Sequence, residues 1–438
     1  MSRWATRRLR DVCIGVYDGP HATPLKASDG PVFLGISNLN NGRLDLSEVE
    51  HIAESHWEKW TRRVTPQPGD VVFSYETRLG QAAIIPDGLR CCLGRRLGLL
   101  RPDPSEIDPR FLLYTYLSPA FQDFLATRTL HGSTVDRLPV AEYPDFEIPV
   151  PELRVQQGIV GVLGALDDKI ELNRRMNRTL EELALALFKS WFVDFDPVLT
   201  KRDGRKLVGV PVGAIALFPN QFEYAGDERV PKGWRAKRIG DLVAGIFDGP
   251  HATPPPAISG GVFLGIRNLP GTRIDLSEVR YISESDWARW TRRVLPVGGD
   301  IVFTYEATIG RFAVVPPNLR CCLGRRVALI RPKRRDDTDF LFLSFISDAF
   351  QELLLARSNT GSTVERIPLE DFPSYEILWP GQQLVDLFAS LVAPLRTKVN
   401  FNEEEGRQLV ALRDALLGPL LSGEITLKQA GKAIAEVA

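Results

Sequence analysis

The stretch Asp18-Gly19-Pro20-His21-Ala22-Thr23-Pro24 returns, residue for residue, as Asp248-Gly249-Pro250-His251-Ala252-Thr253-Pro254, at an offset of 230 (248 less 18). Outward from it, the same offset carries Phe33-Leu34-Gly35-Ile36 onto Phe263-Leu264-Gly265-Ile266 and Trp60-Thr61-Arg62-Arg63 onto Trp290-Thr291-Arg292-Arg293. It also carries Arg90-Cys91-Cys92-Leu93-Gly94-Arg95-Arg96 onto Arg320-Cys321-Cys322-Leu323-Gly324-Arg325-Arg326. After Arg331-Pro332 one residue is lost, so Gly132-Ser133-Thr134-Val135 matches Gly361-Ser362-Thr363-Val364 at an offset of 229 (361 less 132). Solenoid units run to ~20–45 residues, so a repeat this long is a duplicated domain with something attached to each copy.

The 438 residues carry 54 basic and 55 acidic side chains, a net charge of −1. No overall field draws such a molecule onto nucleic acid, and any DNA binding must come from local patches. No apolar run reaches the ~18–20 residues that cross a bilayer, so no membrane partner is expected. The basic start Met1-Ser2-Arg3-Trp4 leads into no apolar signal core, so secretion is not indicated. Four of the five cysteines form the doublets Cys91-Cys92 and Cys321-Cys322, whose members point to opposite faces of a strand. Neither a disulfide framework nor a zinc site fits, and a reducing cytoplasm is the expected compartment.

Each globular half reads as α+β. Short β-rich runs such as Asp70 to Tyr75 and Gln81 to Pro86 lie between Gly, Pro and Asn signals, and a helical stretch from Asp108 to Leu125 follows. The attached element is a long helix. Residues at steps of four and three read Ile159, Leu163, Leu166, Ile170, Asn173, Asn177, Leu180, Ala184, Leu187 and Trp191, which is a heptad seam. The second copy gives Phe388, Val392, Leu395, Val399, Asn402, Gly406, Leu409, Leu416 and Leu420, with Arg413 breaking the pattern and Leu412 beside it. A helix of roughly 40 residues is about 60 Å long and needs a partner; the obvious one is its own copy, the alternative being ordinary packing on the adjacent domain. If the pair is antiparallel, the equivalent Asn173 and Asn402 meet and their amides fix the register; otherwise each faces water.

The expected organisation is a first recognition domain (1–150), a long helix (151–196), a linker (197–232), a second recognition domain (233–379), a second long helix (380–424) and a tail (425–438). An antiparallel coiled coil would relate the two domains by a pseudo-twofold axis. Twofold DNA binders match half-sites against a helical repeat of ~34 Å, so similar readers on a rigid spacer suit a split duplex target.

The helix itself carries a family resemblance. Leu166-Asp167-Asp168-Lys169-Ile170-Glu171-Leu172-Asn173-Arg174-Arg175-Met176-Asn177, followed by Leu187-Phe188-Lys189-Ser190-Trp191-Phe192-Val193-Asp194-Phe195-Asp196-Pro197, resembles the central helix of specificity subunits of type I restriction-modification systems. Asp18 to Pro24 is similar to the Asp-Gly-Thr-His-x-Thr-Pro segment of one class of target recognition domain there, with Pro20 and Pro250 departing from its Thr. The resemblance covers nearly the whole chain. It implies a subunit that reads a bipartite DNA sequence and recruits two modification subunits, which methylate adenine with S-adenosylmethionine. Restriction subunits with translocase and nuclease activity join in some such complexes.

The motifs lacking from the chain agree with that division of labour. It has no Asn/Asp-Pro-Pro-aromatic motif, no Gly-rich cofactor loop and no phosphate loop; Gly431-Lys432-Ala433 lacks the upstream Gly and the hydroxyl. No cofactor, metal or catalytic residue is therefore expected in this chain. A nuclease reading would start from Asp70 and Glu76, repeated as Asp300 and Glu306, yet no lysine follows the glutamates in the usual place.

Candidate DNA contacts are the arginine doublets Arg62-Arg63, Arg95-Arg96, Arg292-Arg293 and Arg325-Arg326, each able to grip phosphate or read guanine. A solvated surface role is the bland alternative. His21, Thr23, His251 and Thr253 belong to the repeated segment and contact DNA or order its loop. Ser133, Thr134, Ser362 and Thr363 suit a phosphate, or merely cap a turn. The coiled coil and its Trp191, Phe192 and Val193 end, as exposed residues beside the seam, are the expected docking surface for a partner subunit. Lys201 to Lys206 reads as an exposed charged connector.

Similar readers facing opposite ways should read similar sequences on opposite strands, so an interrupted, nearly palindromic target is expected. Ser37 against Arg267, Glu50 against Arg280, Arg78 against Thr308 and Gln81 against Arg311 are differences that bear on base preference. The rival class is a self-sufficient DNA-binding regulator acting by occupancy.

Overall fold

The computed structural model describes residues 3–131, 135–205, 211–358 and 365–437. They fall into two compact units, one formed by Met1–Arg174 with Glu404–Ala438 and the other by Arg175–Glu403. Each unit is put together the same way. It contains one β-rich domain, the first half of the long helix that follows that domain in the chain, and the second half of the other long helix.

In the first unit a four-stranded antiparallel sheet runs in the order Cys13–Asp18, Leu97–Pro102, Val71–Ser74, Ala82–Ile84. A three-stranded sheet places Lys26–Leu34 between Glu50–Ile52 and Cys91–Leu93, the last pairing being parallel. The second unit repeats both sheets with Val243–Asp248, Val327–Pro332, Ile301–Thr304 and Phe312–Val314, and with Gly261–Leu264 between Arg280–Ile282 and Cys321–Leu323. The α+β reading of each half therefore holds. The cysteine doublets alternate as the strand period requires: within each unit the first cysteine (Cys91 or Cys321) enters one core cluster and the second (Cys92 or Cys322) a different one. Burial pushes all four thiols up to about 12, so they are packing residues rather than nucleophiles.

The helical stretch after the sheets is two helices, Pro109–Leu117 and Pro119–Arg128. The break is local chemistry. Ser118 adopts an extended backbone ahead of Pro119 and accepts a hydrogen bond from the Phe121 N–H, so it caps the second helix.

The long helices span Leu153–Phe188 (36 residues) and Gln382–Ser422 (41 residues), the latter running on through Pro394 and Pro419. Within each unit their segments pair antiparallel. In the first unit Ile159, Leu163 and Leu166 share a core with Leu416, Leu417 and Leu420, with Leu409 partly buried against it. Asp167 there meets Arg413, and Asn173 meets Glu405. In the second unit Asn177 lies against Val399 and Asn402, and Phe188 against Phe388. Ile170 and Val399 are buried, while Leu180, Leu187 and Leu395 are half-buried on the seam.

The asparagine pairing differs from the simple expectation. Asn402 donates from Nδ2 to Asn177 Oδ1 (2.8 Å), and Asn173 donates to Glu405 Oε2 (2.6 Å), so the register is pinned through residues one helical turn away from the expected match.

Two further segments differ from their sequence reading. Leu427–Val437 is an amphipathic helix rather than a plain tail; Thr426 caps it, with its hydroxyl on the Gln429 N–H and the Gln429 side chain back on the Thr426 N–H. Lys201 is not a free connector residue, since its ammonium donates to the carbonyls of Ile215 (3.0 Å) and Phe218 (2.5 Å). Among the described residues no helix is long and apolar enough to cross a membrane.

Candidate nucleic-acid interface

In each unit three loops converge around one buried tyrosine. The strand Cys13–Asp18 ends at Asp18, which accepts from His21 Nε2 (2.9 Å) and from Arg63 (2.5 Å). Gly19 follows because its backbone lies against the Gly94 carbonyl, where a β-carbon would sit 2.5 Å from that oxygen. Tyr75 N–H bonds the Arg96 carbonyl (3.2 Å), and the His21 ring meets Tyr75 edge-on at 6.4 Å. Glu76 pairs with Arg96 Nε at 3.0 Å.

The second unit reproduces the aspartate, tyrosine-backbone and glutamate contacts. Asp248 holds His251 (2.9 Å) and Arg293, the Tyr305 N–H bonds the Arg326 carbonyl (3.3 Å), and Glu306 holds Arg326 (2.8 Å). Burial acts to raise the Asp248 carboxyl, but the hydrogen bonds and charges of Arg293 and His251 outweigh it and hold the group below its usual value. The tyrosine hydroxyls are shifted the other way. Burial, then the charges of Asp18 and Glu76, push Tyr75 up to about 12, and Tyr305 rises for the same reasons. Both hydroxyls are buried without a hydrogen-bond partner among the described residues. Backbone strain sits at the same place: Thr77, Arg96, Ala307 and Arg326 all have left-handed φ, from 68° to 78°.

The arginine doublets, equal in sequence, are unequal here. The second member of each is tethered: Arg63 and Arg293 to aspartates, Arg96 and Arg326 to glutamates. The first members, Arg62, Arg95, Arg292 and Arg325, are exposed and make no ion pair among the described residues. Those four guanidiniums are the ones available to an anion. Thr23 and Thr253 are exposed beside them in sequence, and His21 and His251 order the loop through their aspartates. Ser133, Thr134, Ser362 and Thr363 lie outside the described residues.

Nothing local in the sequence marks Asp18, Asp248, Tyr75, Tyr305, Glu76 and Glu306 as the groups that order these loops. The available signal was their recurrence at the 230 offset next to the histidine and arginine motifs.

The nuclease reading fails on chemistry. Asp70 is buried and receives Arg101 through Nε (2.9 Å) and Nη2 (2.7 Å), and Asp300 receives Arg331 identically, while the glutamates are paired as above. Each carboxylate already has its cation, which leaves no charge to hold a metal. Among the described residues no group of three or more His, Cys, Asp or Glu side chains is placed to bind one.

The aromatic residues expected to dock a partner have another use. A π-helical turn, Lys189–Val193, ends the first long helix and rotates Trp191 and Phe192 into the core of the second unit. Trp191 is 1% exposed and meets Phe218 edge-on, and Phe192 packs on Phe340 and Phe388. Only Val193 of the three is exposed, at 46%.

Each unit is thus a β-rich domain carried on a pair of antiparallel helix segments and presenting the same arginine loops. The fold is matched by the type I restriction-modification S subunit of M. genitalium, with a TM-score of 0.55 at 14% identity over 96% of each chain. Residues 1–182 match the family described as type I restriction modification DNA specificity domain. The chain is 24% identical to the specificity subunit of the type I restriction enzyme HindI of Haemophilus influenzae, covering 97% of this chain and 100% of that one. It is 25% identical to the MjaIX specificity subunit of Methanocaldococcus jannaschii, covering 97% and 94%. Over nearly its full length the chain is thus similar to specificity subunits of type I restriction-modification systems.

Proposed function

We propose that the chain reads a bipartite, nearly palindromic duplex DNA target, one half-site per unit, and positions two adenine-methyltransferase subunits that carry S-adenosylmethionine, with restriction subunits joining where the host encodes them. The observation that carries this reading is the repeated loop cluster: in both units the same two arginines are left exposed and unpaired while the neighbouring two are locked by carboxylates. Two like readers favour like half-sites, and the antiparallel pairing of helix segments inside each unit favours half-sites of opposite sense. Flipping the target adenine out of the stack is then the work of the partner subunits. The exposed Val193 remains a candidate edge of their docking surface.

Methylome mapping of the native host, with and without this gene, tests the reading. The expected result is one interrupted, nearly palindromic adenine motif whose methylation disappears on deletion. Two unrelated half-sites would defeat the palindrome. Tight specific binding by the isolated chain with no dependent methylation would support a regulator acting by occupancy instead.

A further inference from the structure

Two of the differences between the loop clusters compensate each other. The turn after the buried tyrosine is the same in both units: the Arg78 N–H bonds the Glu76 carbonyl (2.9 Å), and the Thr308 N–H bonds the Glu306 carbonyl (3.0 Å). The short 3-10 turns Ile36–Asn38 and Ile266–Asn268 also match. Asn38 accepts from the Gly35 N–H and donates to the carbonyls of Asp45 and Glu48; Asn268 does the same with Gly265, Asp275 and Glu278.

In the first unit Arg78 reaches across, its Nη1 3.5 Å from the Ile36 carbonyl, so its guanidinium lies at the backbone of Ser37. In the second unit the position of Arg78 is Thr308 and the position of Ser37 is Arg267. Arg267 is exposed and has no ion pair or hydrogen bond among the described residues. The first unit therefore brings an arginine to the place where these two turns meet, and the second roots Arg267 on the matching 3-10 turn, while its Arg311, where the first unit has Gln81, is engaged by the Leu269 carbonyl (3.3 Å).

Resting on the DNA reading above, we propose that this junction is a phosphate contact requiring one guanidinium, supplied by Arg78 in the first unit and by Arg267 in the second. The exchange of stems argues for phosphate rather than base. Bidentate readout of guanine fixes the approach of the guanidinium plane, and a side chain rooted on a different loop cannot keep it. A phosphate accepts a cation from many directions and asks only that charge arrive. The exchange accordingly leaves the two half-sites read alike at this position.

The test uses the full-length chain assembled with the modification subunits that co-purify from its host, and a duplex carrying the mapped methylation motif. Arg78→Thr should weaken binding about tenfold and reduce the salt dependence by roughly one phosphate's worth of slope. Adding Ser37→Arg, which copies the second unit, should restore both to within about threefold. Arg267→Ser and its rescue by Thr308→Arg form an independent arm in the other unit. The methylated motif should stay unchanged in every variant. No loss in the single variants, no rescue in the double ones, or a base change in the motif would each overturn the proposal. A wild-type complex that binds no duplex at all would overturn the DNA reading together with it.

Discussion

At equivalent seam positions one unit is aromatic and the other aliphatic. The second half of the first long helix contributes Phe188, Trp191 and Phe192 to the second unit; at the 229 offset the second long helix contributes Leu417, Leu420 and Leu421 to the first. The charges beside them are reversed. Asp167, which takes Arg413 Nη1 (2.9 Å) and the Tyr114 hydroxyl (2.7 Å), corresponds to Arg396, which holds Asp339 at 2.9 Å. Around the arginine loops, in contrast, the pairings of the aspartate with His and Arg, of the tyrosine N–H with the arginine carbonyl and of the glutamate with the arginine recur in both units. Packing surfaces can be repacked as long as volume and charge balance are met locally, whereas the loop cluster has kept its geometry. What the duplicated copies preserve is the loop cluster, not the seam.

The largest effect that would break this comparison is on the aromatic side. Trp191→Ala removes a wholly buried indole wedged between Phe218 and Phe388, and should destabilise the second unit by about 4 kcal/mol in urea unfolding. Leu420→Ala, at the matching position, should cost the first unit about 3 kcal/mol. An unchanged unfolding midpoint for Trp191→Ala would return that residue to a docking role.

That residue also marks where reading the sequence stops. The duplication, the long helices and the opposite faces of each cysteine doublet follow from offset and period alone, because they are local or repeated features. The fate of Trp191 does not, since the π-turn at Lys189–Val193 shifts the helical phase just where the heptad was extrapolated. Its Leu420 counterpart in an apolar stripe was the available warning. The division of labour within each arginine doublet was equally hidden: Arg63 finds its aspartate 45 residues away in the chain, and nothing near Arg62 or Arg63 distinguishes them. The C-terminal helix was legible in its Thr426-x-x-Gln429 cap and in Leu427, Ala430 and Ile434, but its shortness concealed it.

Next in size is the charge network of the first unit. Arg413 is 22% exposed at its side chain and covers the seam with its stem as well as neutralising Asp167. Arg413→Ala should cost about 2–3 kcal/mol, because it strands a half-buried carboxylate and leaves a gap, whereas the equivalent residue in the second unit is already Ala184. A loss no greater than that of an exposed arginine would show that the reversed charges are incidental.

The arginine doublets sharpen the part of the comparison that is preserved. Arg62→Ala and Arg292→Ala should each weaken binding of the assembled complex to its mapped duplex about tenfold, or about 1.4 kcal/mol, and lower the salt slope. The effects should be equal in the two units. Arg63→Ala should act differently, loosening the Asp18 and His21 loop rather than deleting a contact, so its defect should leave the salt slope near that of the wild type. If Arg63→Ala changes the slope as much as Arg62→Ala, the tethered and free assignments are reversed.

The smallest effect concerns the space left by Ala184. Beside it the second unit has an open pocket of about 230 Å³, whose lining includes Leu343, Val392, Leu395, Val399 and the Asp339–Arg396 pair. The first unit has Arg413, Tyr114, Leu163 and Ile170 at the positions of Ala184, Leu343, Val392 and Val399, each as large as or larger than its counterpart. Ala184→Leu adds apolar volume where there is room for it, on a helix that tolerates leucine, so it should raise stability by about 1 kcal/mol. Asp339 gives the measurement a second reading. Burial raises its carboxyl, with Arg396 opposing, so this group favours the folded state most below the ordinary aspartate range, and that advantage is lost as pH rises through its elevated folded value. Filling the cavity should deepen that burial and make the acid-side advantage larger. Destabilisation by Ala184→Leu would mean that the wall residues already close the space, and that the two seams differ in shape but not in packing.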